Sequence, residues 1–200
     1  LTSWNTENVT DMSGMFSGCN RLDTLVISSW NTGNVTDMEY MFNSCSALAA
    51  LDVSSLNTEN VTTMYGLFSG CSALTSLNLT GWNTENVTNM NYLFQGCSKL
   101  TTLDVSSLDT ENVTDMGNMF NGCSSLTTLD VSSFNTGNVT NMSSMFSYCR
   151  SLTNINLPSN TSSVVTMSNM FYYCSRLSSL DVSPLKTENV TDMSYMLSYC

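Results

Sequence analysis

The chain contains no histidine, and only five of its 200 residues are lysine or arginine. The first absence removes the commonest general base and metal ligand. The second, set against sixteen acidic residues and a net charge of −11, means that phosphate backbones and anionic lipid are repelled, which argues against nucleic-acid and membrane-surface binding. No apolar run approaches the ~18 residues of a membrane span, so no membrane insertion is expected of this segment, and no signal peptide lies within it. No C-x-x-C is present, as a zinc site would want. Without histidine, without a nucleophile beside a base and without any polar cluster that is not repeated, catalysis is not expected.

Charged residues are 10% of the chain and hydrophobic ones 42%. A core can be filled, and the surface must be coated with neutral hydroxyls and amides. What the chain has instead of charge is repetition. Cys19, Cys45, Cys71, Cys97, Cys123, Cys149, Cys174 and Cys200 are 26 residues apart at every step but one, the interval from Cys149 to Cys174 being 25. The missing residue falls where "LPSN" at 157–160 replaces "VSSFN" at 131–135. In register, each unit reads as a large apolar residue followed by N-T-x-N-V-T-x-M-x-x-M-F-x-x-C-x-x-L-x-x-L-D-V-S-S. The units start near Trp4, Trp30, Leu56, Trp82, Leu108, Phe134, Ser159 and Leu185. One continuous repeat array is the expected domain organisation, as an excerpt of a longer array or a unit that stacks end to end.

Within a unit, Met12, Met15, Phe16 and Cys19 stand at i, i+3, i+4 and i+7, which predicts a helix of about two turns, capped by Thr10 and with Asp11 in its first turn. After the cysteine, L-x-x-L-D-V predicts a short strand with leucine and valine inward. The expected fold is thus an α/β solenoid, a leucine-rich-repeat-like stack of about eight 26-residue units with a parallel β-sheet on one side and short helices on the other. Helices need ~8–10 Å between axes and strands ~4.8 Å, so the stack is expected to curve with the strands inside.

The stretches "NTENVTDMSGMFSGC" and "LTTLDVSSLNTENVT" closely resemble the bacterial surface protein 26-residue repeat of the BspA-like leucine-rich-repeat family, over essentially the whole chain. The resemblance implies an extracellular or cell-surface location and adhesive or scaffolding work. It carries no catalytic residues.

Several features are candidates for function. The helix-face cysteines from Cys19 to Cys174 are expected to be buried free thiols, one helix diameter apart and beyond the ~7 Å Cα limit of a disulfide, with inter-repeat disulfides or a metal as the alternatives. Asp52, Asp104, Asp130 and Asp181 form an outward acidic ladder that is either a solvated stripe or a calcium-binding one, and no other cofactor is expected of it. Asn5, Asn31, Asn57, Asn83 and Asn135, with Asp109 substituting, are expected to stack and to bond the turn of the next unit. The N-V-T phrases at Asn8, Asn34, Asn60, Asn86, Asn112, Asn138 and Asn189 are also glycosylation sequons.

Tyr148, Tyr172, Tyr173, Tyr195 and Tyr199 gather towards the C-terminal end on the helix side and form the expected contact surface, the alternative being partial burial between helices. The partner would be a protein or carbohydrate on another cell or matrix, or the chain itself end to end as a filament subunit. A third reading takes Thr6, Thr32, Thr58, Thr84, Thr110 and Thr136 as a flat hydroxyl array suited to ice.

Overall fold

Residues one repeat apart lie side by side in the computed structural model, which describes residues 4–200. A run of parallel bridges marks the register: Asp11 pairs with Asp37, Asp37 with Thr63, and so on through Asn89, Asp115, Asn141 and Thr166 to Asp192. Each repeat is one rung, and the eight rungs share a single apolar interior.

The side expected to be helical is built differently. Among the described residues there is no helix, and the strands are β1 (Thr128–Asp130) and β2 (Asn154–Asn156), paired in parallel. The α/β solenoid is therefore corrected to a stack of overlapping turns and extended segments. The backbone shows why. In an α-helix every amide bonds four residues back along its own axis. Here the amides alternate. Those of Met12, Gly14, Phe16 and Gly18 donate to the carbonyls of Asp37, Glu39, Met41 and Asn43 in the next rung at 2.7–2.9 Å, while those of Met15, Ser17 and Cys19 close turns on Met12, Gly14 and Phe16 at 2.9–3.3 Å. Positions 14 and 18 and their equivalents hold φ near +52 to +76, which no right-handed helix tolerates. Thr10 caps nothing; its carbonyl accepts from the amide of Thr36 at 2.8 Å, and that contact repeats up the stack. The apolar spacing is still obeyed, because overlapping four-residue turns bring positions 12, 15, 16 and 19 inward as a helix would.

With both sides at β spacing, the curvature expected from helix diameter loses its cause. The opposite side is the looser one. Its inter-rung amides reach 3.3 Å from Thr75 to Ala49 and 3.4 Å from Thr101 to Thr75, tightening to 2.9 Å from Thr153 to Thr127 beside β1 and β2. The predicted alternation holds: Leu129 points in, and Thr128 and Asp130 point out.

Two ladders run through the interior. Seven phenylalanines from Phe16 to Phe171 stack ring on ring with centroids 5.3–5.8 Å apart and planes within 17° of parallel. Beside them the threonines of N-T-x-N are buried, not exposed: Thr32, Thr58 and Thr84 are each 1% accessible. The Thr58 hydroxyl donates to the carbonyl of Asn83 at 2.8 Å and accepts from its amide at 2.9 Å, and Thr6 and Thr32 do the same to Asn31 and Asn57. A hydroxyl so engaged cannot face ice, and the ice-binding array is corrected on that ground.

The candidate functional site is a tyrosine wall

The left-handed columns at positions 14 and 18, with the residues that precede each of them, form the outward surface of the turn side. All eight tyrosines of the chain lie on this wall, among serine, asparagine, glutamine and glycine, and Glu39 is the one charged residue in its columns. Tyr40, Tyr65 and Tyr92 make one island, with centroids 4.9 Å and 5.4 Å apart and edge-to-face planes. Gly66 lies beneath it; a Cβ there would come within 2.6 Å of the Tyr40 ring, so the glycine is what admits the ring. The hydrogen bond of Tyr65 to Tyr40, and then burial, push the Tyr65 phenol up.

The second island contains the five tyrosines singled out from the sequence. Tyr148, Tyr173 and Tyr199 form a stacked column, with centroids 5.3 Å and 4.4 Å apart and planes 10° and 13° from parallel. Tyr172 meets all three edge-on, and Tyr195 as well at 6.3 Å. Tyr148 is 36% accessible and Tyr172 and Tyr173 are half-buried, so the rings form an ordered, partly covered aromatic surface that Tyr195 and Tyr199 extend in the eighth rung. Arg150, which sequence reasoning passed over, places its guanidinium 5.4 Å from the Tyr148 ring centre and 5.7 Å from that of Tyr173. The run Tyr148-Cys149-Arg150 was the available signal, since arginine and tyrosine are the residues that carry interface energy.

Six of the eight tyrosines hold φ between +52 and +61. That region costs a bulky L-residue about 1–2 kcal/mol, and strain of this kind concentrates where function uses it.

The remaining candidates are absorbed by the stack. Asp52, Asp104, Asp130 and Asp181 are exposed and accept the amide of the serine two residues on at 2.9–3.0 Å. That serine's hydroxyl and then its amide hold each carboxyl below the usual range, with Asn156 adding a 2.8 Å bond to Asp130. Among the described residues no three acidic, cysteine or histidine side chains gather as a metal site would need.

Asn5, Asn31, Asn57, Asn83 and Asn135 each accept the amide two residues on within their own rung at 3.0–3.2 Å, so the expected bond to the next unit is corrected. The link between rungs comes from the sequon asparagines. Asn34, Asn60, Asn86, Asn112, Asn138 and Asn189 donate through Nδ2 to a carbonyl of the preceding rung at 2.6–2.9 Å.

The cysteines are free, and those from Cys45 to Cys174 are buried, but Cys19 is exposed and is corrected accordingly. Helix diameter is not what keeps them apart, since rungs at β spacing fall within disulfide reach. Each thiol from Cys45 to Cys200 instead donates to a phenylalanine carbonyl of the preceding rung at 3.1–3.3 Å. Burial first, and then the neighbouring thiols, push Cys45 up to about 11 and Cys71 and Cys174 to about 12. Since the thiolate is the nucleophile, iodoacetamide at pH 8 should label Cys19 and Cys200 and spare the other six until denaturant is added. Peptide mass spectrometry checks this, and native labelling of Cys97 or Cys123 would contradict the assigned burial.

No curated relative matches the sequence. Two solved structures are similar. A leucine-rich repeat protein of Eubacterium ventriosum shares 23% identity at a TM-score of 0.55, with 87% of this chain and 44% of that one covered. A leucine-rich repeat protein of Bacteroides ovatus shares 20% identity at a TM-score of 0.47, with 80% and 45% covered. The likeness to the first is one of fold, and the chain spans less than half the length of each neighbour. In sequence, one family description fits along the whole length, at residues 1–79, 73–159 and 155–200, and the chain accordingly belongs to the family described as Mycoplasma protein of unknown function, DUF285.

Proposed function

We propose that this chain is a non-catalytic segment of an extracellular, cell-surface repeat protein that works in adhesion, with the tyrosine wall as its contact face. The observation that carries this reading is the division of labour along the repeat. Nearly every regularly repeated polar group (threonine, sequon asparagine, strand-side aspartate, thiol) is engaged in holding the stack, whereas the variable positions collect all the tyrosines on one wall. Tyrosine among serine, glycine and asparagine is also the composition of antibody paratopes. There the ring supplies a large rigid contact at small entropic cost and the small polar residues supply adaptable hydrogen bonds. The absence of histidine and the resemblance to BspA-like repeats support the same reading.

Beads coated with the protein should be retained by a monolayer of cells under flow. A variant with Tyr148, Tyr172, Tyr173 and Tyr199 changed to serine should lose about 90% of that retention, since aromatic anchors dominate contact energy. Retention equal to that of albumin-coated beads would overturn the proposal.

A further inference from the structure

The wall is not uniform along the stack. Its column at position 18 begins as Gly18, Ser44, Gly70, Gly96 and Gly122 and ends as Tyr148, Tyr173 and Tyr199. The glycine part is a trough where backbone lies near backbone: a Cβ on Gly96 or Gly122 would sit 3.5–3.6 Å from the backbone of the preceding glycine. The tyrosine part is a ridge of stacked rings in line with that trough.

We propose that the partner of this wall is a second copy of the chain, docked antiparallel across a two-fold axis at the fifth rung, the rung of Asn118 and Asn121. This rests on the reading of the wall as an adhesive contact face. Turning one copy about that axis sets the second rung opposite the eighth, the third opposite the seventh and the fourth opposite the sixth. Tyr199 then meets Ser44, Tyr173 meets Gly70 and Tyr148 meets Gly96, so that ridge enters trough twice, as an isologous interface requires. The same operation sets Tyr65 against Ser168 and Tyr92 against Ser144 and brings Tyr172 over the rung whose Ser69 is buried, and only Tyr40 and Tyr195 meet as two large rings.

Charge selects the same face. Each copy carries −11, and like-charged surfaces resist approach everywhere except at a neutral one. The wall, where Glu39 is the one ionised residue of the columns and the Arg150 guanidinium beside Tyr148 and Tyr173 offsets it in sign, is that neutral surface. The stacked column also leaves edges and hydroxyls outward and closes the ring faces on one another, which suits a protein trough better than a sugar that would lie flat on an open face. Two copies on opposed cells would meet antiparallel, as the pairing demands.

The axis makes a sharp test. Residue 121 of one copy faces residue 121 of the other, so Asn121→Asp and Asn121→Lys each place like charges together, while an equimolar mixture places opposite ones together. Sedimentation velocity from micromolar to near-millimolar protein should show the unaltered chain forming dimers, more readily at high salt because repulsion between the copies is screened. Each charged variant should stay monomeric alone, and the mixture should dimerise. Tyr173→Ser should weaken association by about tenfold or more.

Circular dichroism confirms folding of each variant, and the recovery in the mixture excludes misfolding as the cause of monomers. A chain that remains monomeric throughout, or dimers indifferent to residues 121 and 173, would overturn the second copy as partner. If the monomeric chain still holds beads to cells through its tyrosines, the adhesive reading survives and this inference alone falls.

Discussion

Phe120→Ala should destabilise the protein by about 3–5 kcal/mol, the range for deleting a fully buried aromatic ring. The ring is inaccessible to solvent and lies between Phe94 and Phe146 at centroid distances of 5.6 Å and 5.7 Å, so its loss opens two ring contacts and a cavity together. The interior has little means of collapsing into that cavity, because both flanking rungs are tied by amides, a threonine and a thiol to fixed neighbours. Stability in a repeat array is a sum of rung terms and nearest-neighbour terms. The substitution therefore weakens two adjacent interfaces, and its urea transition, followed by circular dichroism, should be broader than the parent's or split as the two halves uncouple. Phe16→Ala, at a half-buried ring with Phe42 as its only stacked phenylalanine, should cost clearly less. Equal losses at the two sites would refute the account of the ladder as a cooperative interior.

The second large effect comes from a substitution that leaves the shape unchanged. Thr58→Val keeps the volume but removes the hydroxyl that serves both the amide and the carbonyl of Asn83. Each buried group left without a partner costs about 1–3 kcal/mol, so a loss near 3 kcal/mol is expected although the new residue is more apolar. Thr58→Ser, which keeps the hydroxyl, should recover most of it. Urea denaturation of both variants gives the comparison, and a Val variant as stable as the parent would show that water satisfies Asn83 in place of the threonine.

These expectations also mark what could be read before the structure. The period, the inward positions of Met12, Phe16, Leu51 and Val53, and the clustering of the last tyrosines follow from spacing alone. The helix did not, because i, i+3, i+4, i+7 describes a buried face and not the backbone behind it. The distinguishing signal was present at positions 14 and 18, where Gly14, Gly18, Gly66, Gly70, Gly96, Gly122, Asn118 and Asn169 recur four residues apart, the residue types that enter left-handed backbone most readily. Tyrosines at six of those places disguised it. Thr58 and Asn60 were harder still. Threonine beside asparagine suggests a solvated turn, and only the neighbouring rung, 25–27 residues away, reveals that one is buried and the other bridges. The trough and ridge of the wall became visible once the rungs stood side by side.

The alternation of amides has a mechanical consequence. Along the turn side, every second amide points at the next rung, as the threonine hydroxyls do, while the sequon asparagine amides and the thiols reach back to the preceding one, so that each interface is bonded from both sides. A pull applied from end to end loads all the bonds of one interface at once, in parallel, while successive interfaces carry that load in series. Such a stack is stiff until one interface yields and then lengthens by one rung's worth of chain, which suits a tether that must hold in flow and give way by steps.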